Sequence, residues 1–303
     1  MTRAAGEAFE RLEPDKRILM YSRSACIGMH RYGGIWTGDN HSWWSHILLA
    51  LHMMPSLNMC GFLYEGPDIG GFGSNTTEDL VLRWYGLGIF SPLLRNHSAN
   101  GTRRQEPYRF KNKAAFAGIL QLRYLLLPYI YSEYMKAALH DGMYCMPLAF
   151  AFPEDDFARQ VEDEVMIGES LLIAPVYEQN ARGRYVYLPE EMLQVRVSAA
   201  KATASKPVCC QQAIITFRWS WMKWCSLCAR DTFCPLPRTA KRSRALPMWI
   251  LQICACLPML PMVHPMNTIP MTARQRIMIS RNILCISRWM RMETQRAIVL
   301  RSK

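Results

Sequence analysis

Glycine and tyrosine are missing from the last third of this 303-residue chain, since all 17 glycines and all 13 tyrosines lie before residue 194. At an ordinary usage of about 7%, the 110 residues that follow should hold roughly 8 glycines. Turns and helix caps draw on glycine, so its absence argues against an ordinary folded segment there. Acids are scarce in the same region. From Gln194 to Lys303 there are 18 Lys and Arg but two acids, Asp231 and Glu293. The net charge of +12 therefore belongs to the tail, and residues 1–193 carry a net of −4. That excludes reading the body of the chain as a basic nucleic-acid binder. The body is also poor in cysteine. Cys26, Cys60 and Cys145 show no metal or disulfide spacing, while the tail holds the other eight. This usage fits a reducing cytoplasm. The opening MTRAAGEAFERLEPDKR has no apolar core segment and does not read as a secretory signal. No glycine fingerprint for a dinucleotide occurs.

What is present is a regular alternation. Half of the residues are hydrophobic, enough for a sizeable core. RILMYSRSACIG (17–28) begins with an apolar run and reads as a buried strand ending near Arg23. YGGIWTGD follows as a glycine-rich loop or short strand. NHSWWSHILLALHMM (40–54) has helical spacing, with Ser42 as N-cap and Pro55 just past the end. NMCGFLYEGPDIGGFG (58–73) is a second strand running into a glycine loop. TTEDLVLRWYGLG (76–88) is a helix capped by Thr77, with Glu78 and Asp79 favourable in its first turn. IFSPLLRNHS (89–98) is a third strand-like run. Residues 112–142 form a long amphipathic helix, kinked at Pro128 and ended by Gly142. The pattern predicts a parallel α/β sheet with its site at the C-terminal strand ends. Part of a (β/α)-barrel fits best, and a doubly wound sheet is the alternative. Residues 143–193 read as β-rich, the start of a second domain.

The polar residues at the strand ends are Arg23, Asp39, Asp68 and His97, with Trp36 and Phe72 beside the acids. Two carboxylates, an arginine, a histidine and aromatic walls suit a sugar, whose hydroxyls need donors and acceptors and whose ring faces stack on aromatics. A glycosidase also needs a carboxylic acid able to protonate the leaving oxygen. Asp39, in a glycine loop three residues after Trp36 with no base inside the stretch, suits that environment. Each residue also has a plainer role open to it. Asp39 could cap the following helix, Asp68 could be a turn aspartate, His97 a loop histidine, Arg23 an ion-pair partner, and Trp36 and Phe72 core.

Read in order, SRS, RYGGIWTGDNHSWW, GFLYEGPDIGGFG and RWYGLGIFSPLLRNHS resemble glycoside hydrolase family 31, the α-glucosidase family, in its bacterial oligosaccharide-degrading form. The likeness runs from about Phe9 to about Glu191. It implies a (β/α)8 TIM barrel followed by β-sandwich domains. Residues 1–142 would then be the second half of the barrel, 143–193 the start of the β-sandwich, and 194–303 a basic tail that is frame-shifted or disordered. By resemblance, Asp39 matches the general acid/base, Trp36 an aromatic wall of the sugar pocket and Arg23 a substrate-binding arginine. Asp68 matches an acid that organises the pocket, Phe72 an aromatic lining it, and His97 a histidine that hydrogen-bonds sugar hydroxyls. Retention needs a second, nucleophilic carboxylate. The family's W-x-D-M-N-E type motif for it does not occur in this chain, which is therefore expected to be inactive alone. The implied substrate is an oligosaccharide with a terminal α-linked glucose. The resemblance implies no cofactor; no nucleic-acid or membrane partner is expected, and the cysteine usage places the protein in the cytoplasm. α-Xylosidase and transglycosidase activity stay open within the family, and a non-catalytic basic nucleic-acid-binding product is the rival from another class. In the tail, WCSLC (224–228) lacks the second pair zinc needs, and LPMWILQICACLPMLPMV (246–263) is long enough for a membrane but broken by prolines.

Overall fold

In the computed structural model, the described residues are 1–198 and the strands Val208–Cys210, Ala213–Arg218 and Lys223–Ala229. The chain divides into two units, Met1–Leu12 with Ile18–Leu257, and Glu13–Arg17 with Pro258–Lys303. Of the second, Glu13–Arg17 are described, with Lys16 ion-paired to Glu13 at 2.8 Å. All the elements below belong to the first.

Helix α1 (Thr2–Leu12) precedes strand β1 (Tyr21–Ser22) and strand β2 (Gly34–Trp36). Helix α2 (Trp44–Met59) leads to β3 (Glu65–Gly66) and β4 (Asp68–Ile69), and helix α3 (Glu78–Gly88) leads to β5 (Arg95–Asn96). The pairs β1–β2, β2–β3 and β4–β5 are all parallel, forming one sheet β1-β2-β3 and another β4-β5. Parallel neighbours cannot be joined by a tight turn; α2 supplies the crossover from β2 to β3 and α3 that from β4 to β5, while residues 23–33 join β1 to β2. Helix α4 (Lys113–Leu139) closes this part. Among the described residues it is the one helix long and apolar enough to cross a membrane, yet Phe116, Ile119, Leu126, Tyr129 and Ile130 are buried in the core. The expected Thr77 cap holds, its Oγ1 accepting from Leu80 N, and Asn112, not singled out from the sequence, caps α4 with Oδ1 accepting from Ala115 N.

The rest is antiparallel. Strand β6 (Cys145–Pro147), the short helix α5 (Leu148–Ala151), β7 (Val165–Ile167), β8 (Leu171–Ile173), β9 (Gly183–Leu188) and β10 (Met192–Ser198) are followed by β11 (Val208–Cys210), β12 (Ala213–Arg218) and β13 (Lys223–Ala229). They form a six-stranded sheet, β11-β10-β13-β8-β7-β6, and the pair β12-β9. Side chains bind this sheet to the helices. Asn58 Oδ1 accepts from Tyr144 N and Cys145 N at 3.0 and 2.8 Å, Tyr144 donates its hydroxyl to Phe90 O, and Tyr129 donates its own to Ile167 O. One apolar cluster runs through both parts, from Ile47 and Trp84 to Val165 and Ile173.

Four local expectations are corrected. The first strand is not buried: β1 lies at a sheet edge, and Ile18, Leu19 and Tyr21 are exposed. Ser42 is not the cap of α2. Its hydroxyl donates to Gly73 O and the helix begins after Trp43. Pro55 lies inside α2 rather than beyond it. At the end of α4 the left-handed residue is Asp141 (φ 53°), while Gly142 N donates to Ala137 O. The break in composition after residue 193 is also not the end of the sheet. Beyond it, the described strands β11, β12 and β13 pair with β10, β9 and β8. The cysteine pair and apolar run further along (the latter at 246–263) fall outside described side chains.

Candidate active site

The six strand-end residues meet at the C-terminal ends of β1, β2, β4 and β5, because parallel strands point all their following loops to one side. Gly38 (φ 91°) turns the chain after β2 in a conformation that favours glycine and presents Asp39. Arg23, just past β1, places Nη2 at 3.1 Å from Asp39 Oδ2 and its guanidinium carbon 5.3 Å from the Trp36 ring centroid. Asp39 therefore has a basic partner sixteen residues upstream. The ion-pair role that the sequence left open for Arg23 with either acid is thus taken up with Asp39, which has no base inside its own stretch. The pair is open to solvent, with 37% of the Asp39 side chain and 63% of Arg23 exposed, so a ligand reaches both.

Asp68 sits deeper. Its side chain is fully buried, and Oδ1 accepts from Arg95 Nη2 at 2.5 Å across the β4–β5 register. Arg95 also lies 5.0 Å from the Trp36 ring centroid. Phe72 and His97 face each other with centroids 5.1 Å apart.

Side chains not singled out from the sequence stitch the loops together. Asn40 Nδ2 donates to Asp68 O, and Asn40 Oδ1 accepts from Phe72 N at 3.0 Å. Gln105, 2% exposed, donates through Nε2 to Ile69 O, Gly71 O and His97 O. Gly71 (φ 89°) lets the loop pass where a Cβ would stand 2.3 Å from Ser42 N. Asn40 adjoins Asp39 in sequence and Arg95 lies two residues before His97, so both were in view. Gln105 carried no signal, because its carbonyl partners are distant in sequence.

Beneath the site lies Glu65 of β3. It is fully buried, neither carboxylate oxygen has a partner, and burial pushes its carboxyl up to about 8. At the rim, Trp43 stacks on His41 at 4.7 Å, and burial lowers the His46 pKa, with the neighbouring His41 charge acting in the same direction. Among the described residues, no group of three or more His, Cys, Asp or Glu is placed to hold a metal ion.

Two models from one family match the chain: the glycosyl hydrolases family 31 TIM-barrel domain over residues 1–133, and the family's C-terminal domain over residues 142–231. The chain belongs to glycosyl hydrolase family 31. Its relatives include alpha-glucosidase 2 of Bacillus thermoamyloliquefaciens, 36% identical over 192 residues, covering 63% of this chain and 24% of the relative. The lysosomal alpha-glucosidase of Rattus norvegicus is 39% identical over 178 residues, covering 58% and 19%. Among solved structures, the Tris-bound glucosidase II alpha subunit superposes with a TM-score of 0.66 at 28% identity, over 76% of this chain and 25% of that one. An alpha-xylosidase from a soil metagenome, complexed with xylose, gives 0.62 at 25%, over 77% and 37%. The chain thus spans about a quarter or less of the length of these curated relatives. The fold is a family 31 α/β barrel segment followed by the C-terminal domain, whose match extends past residue 193.

Proposed function

We propose that this chain carries the acid/base half of a retaining α-glucosidase site, acting on oligosaccharides with a terminal α-linked glucose. The observation that supports this reading is the Asp39–Arg23 pair, exposed at the strand ends beside Trp36. Asp39 would protonate the glycosidic oxygen as the bond breaks and later take a proton from the attacking water. Arg23 would hold the sugar, with Trp36 and Phe72 as walls and His97 donating to hydroxyls. Asp68 is committed to Arg95 and buried, which fits the pocket-organising role and not that of nucleophile. Among the described residues the other acids near the strand ends, Asp68 and Glu65, are fully buried, so in this reading the chain alone turns over no α-glucoside. Cys26, Cys60 and Cys145 are free thiols, which supports a reducing cytoplasm as its compartment.

The test is to fuse the chain behind the preceding barrel units of the Bacillus relative and assay p-nitrophenyl α-glucoside. Turnover is expected from the fusion and not from the chain alone. Asp39→Ala should lower it by about 10²–10⁴-fold, and by less with a leaving group that needs no proton. Robust hydrolysis by the unfused chain, or an active Asp39→Ala fusion, would overturn the assignment. A second reading, α-xylosidase, is favoured by the xylose-complexed structural relative. The same fusion assayed on the α-xyloside separates the two.

A further inference from the structure

Arg95 crosses from one parallel sheet to the other. It belongs to β5, paired with β4, while Tyr21 and Trp36 lie in the β1-β2-β3 sheet. Its Nη2 donates to Asp68 Oδ1 at 2.5 Å and its Nη1 to the Tyr21 hydroxyl at 3.4 Å. Its guanidinium carbon stands 5.0 Å from the Trp36 centroid and 5.7 Å from that of Tyr21. Trp36 therefore packs against two guanidiniums, Arg95 and Arg23, the second at 5.3 Å. Two cations on one indole repel each other unless each is neutralised. Here each has its own carboxylate: Asp68 for Arg95 and Asp39 for Arg23.

The two ends of this chain of contacts differ. The Asp39–Arg23 end is open to solvent, and its energy is screened. The Asp68–Arg95 end is anchored by a carboxylate with no exposure. The order of the exposed end must then come from the buried one. The bridge is also not a closed two-bond fork, since Asp68 Oδ2 and Arg95 Nε are buried without partners. A pair kept only for stability would be expected to use those atoms on each other.

We propose that Arg95 is a positioning residue of the glucoside pocket. Anchored by Asp68, it fixes the plane of Trp36 and, through Trp36 and Arg23, the carboxylate of Asp39. This rests on the α-glucosidase reading, and the experiment separates the two. Binding of isomaltotriose to the full 303-residue chain is measured by NMR titration, with circular dichroism melts alongside. Arg95→Met is expected to weaken binding by about tenfold or more and to lower the melting temperature, because Asp68 is left as an unpaired buried charge. Adding Asp68→Asn removes that charge. The double variant should regain the melting temperature but not the affinity. Arg95→Lys keeps a charge on Asp68 without the planar stacking face and should fold with reduced affinity. Wild-type affinity in the double variant, or in Arg95→Lys, overturns the positioning role and leaves the α-glucosidase reading standing. A wild-type chain that binds no isomaltotriose overturns both.

Discussion

Glu65 makes the stability of this protein depend on pH in a direction opposite to most carboxylates. Its backbone is locked between strands: Leu93 N and Ser91 Oγ both donate to Glu65 O, at 3.0 and 2.9 Å. Its side chain is fully buried, and neither oxygen has a partner. The ionisable groups it senses are themselves buried. The Cys145 thiol and the Tyr144 hydroxyl are pushed up by burial first, and in part by Glu65. The nearby Arg123 is already held by the carbonyls of Ile89, Ser91 and Pro92. The carboxyl is therefore raised from 4.5 to about 8. Between those pH values the native state holds a proton that the unfolded chain has released. Folding takes up a proton there, so stability is greatest below pH 4.5 as far as Glu65 is concerned, falls as pH rises, and levels off above about 8. By pH 7 the loss is about 3 kcal/mol, a large part of the roughly 5–15 kcal/mol that a domain possesses.

The assay is urea unfolding of the full chain at pH 5.5, 7 and 8.5, for the wild type and Glu65→Gln. Glu164 must be controlled with Glu164→Gln, because burial also raises it to about 8, outweighing Tyr187 N at 2.7 Å and Arg184 at 3.9 Å. The wild type should lose stability with rising pH. Glu65→Gln should be close to wild type at pH 5.5 and more stable by about 2–4 kcal/mol at pH 8.5. An identical pH slope in wild type and Glu65→Gln would refute the burial argument, since no other change at that position removes a titrating group.

Three further outcomes are expected. Asn58→Ala removes the acceptor of two buried amides and should destabilise the chain by about 2–4 kcal/mol in urea melts; a loss under about 1 kcal/mol would mean those amides find other partners. Gly71→Ala sets a Cβ 2.3 Å from Ser42 N at a φ of 89°, so it should displace the Phe72 loop and abolish isomaltotriose binding in the NMR titration. Thr77→Ala should cost about 1 kcal/mol through loss of the cap on α3, with no change in sugar binding.

The site was legible in the sequence to the extent that it is linear. Trp36 and Asp68 lie in short strands, and Asp39, Phe72 and His97 follow them, so parallel strands deliver all five to one side without further information. Thr77 was readable as a cap because its partner, Leu80 N, lies three residues away. Ser42 failed as a cap because the helix begins one residue later, after Trp43, and the Ser42 hydroxyl instead donates to a tertiary carbonyl, Gly73 O. Pro55 failed as a stop because α2 continues past it to Met59, with Met54, Pro55 and Asn58 buried.

Local chemistry, then, determined the elements, the order of the strand ends and the residue types of a sugar site. It could not pair the charges. An acid and its arginine meet in this fold across 16 residues for Arg23–Asp39 and 27 for Arg95–Asp68. Which cation neutralises which carboxylate depends on strand register, and register is a property of the sheet. The burial of Glu65 is of the same kind. In sequence it is one acid after a tyrosine. The packing of β6 and its neighbours around it is what removes water and changes its protonation.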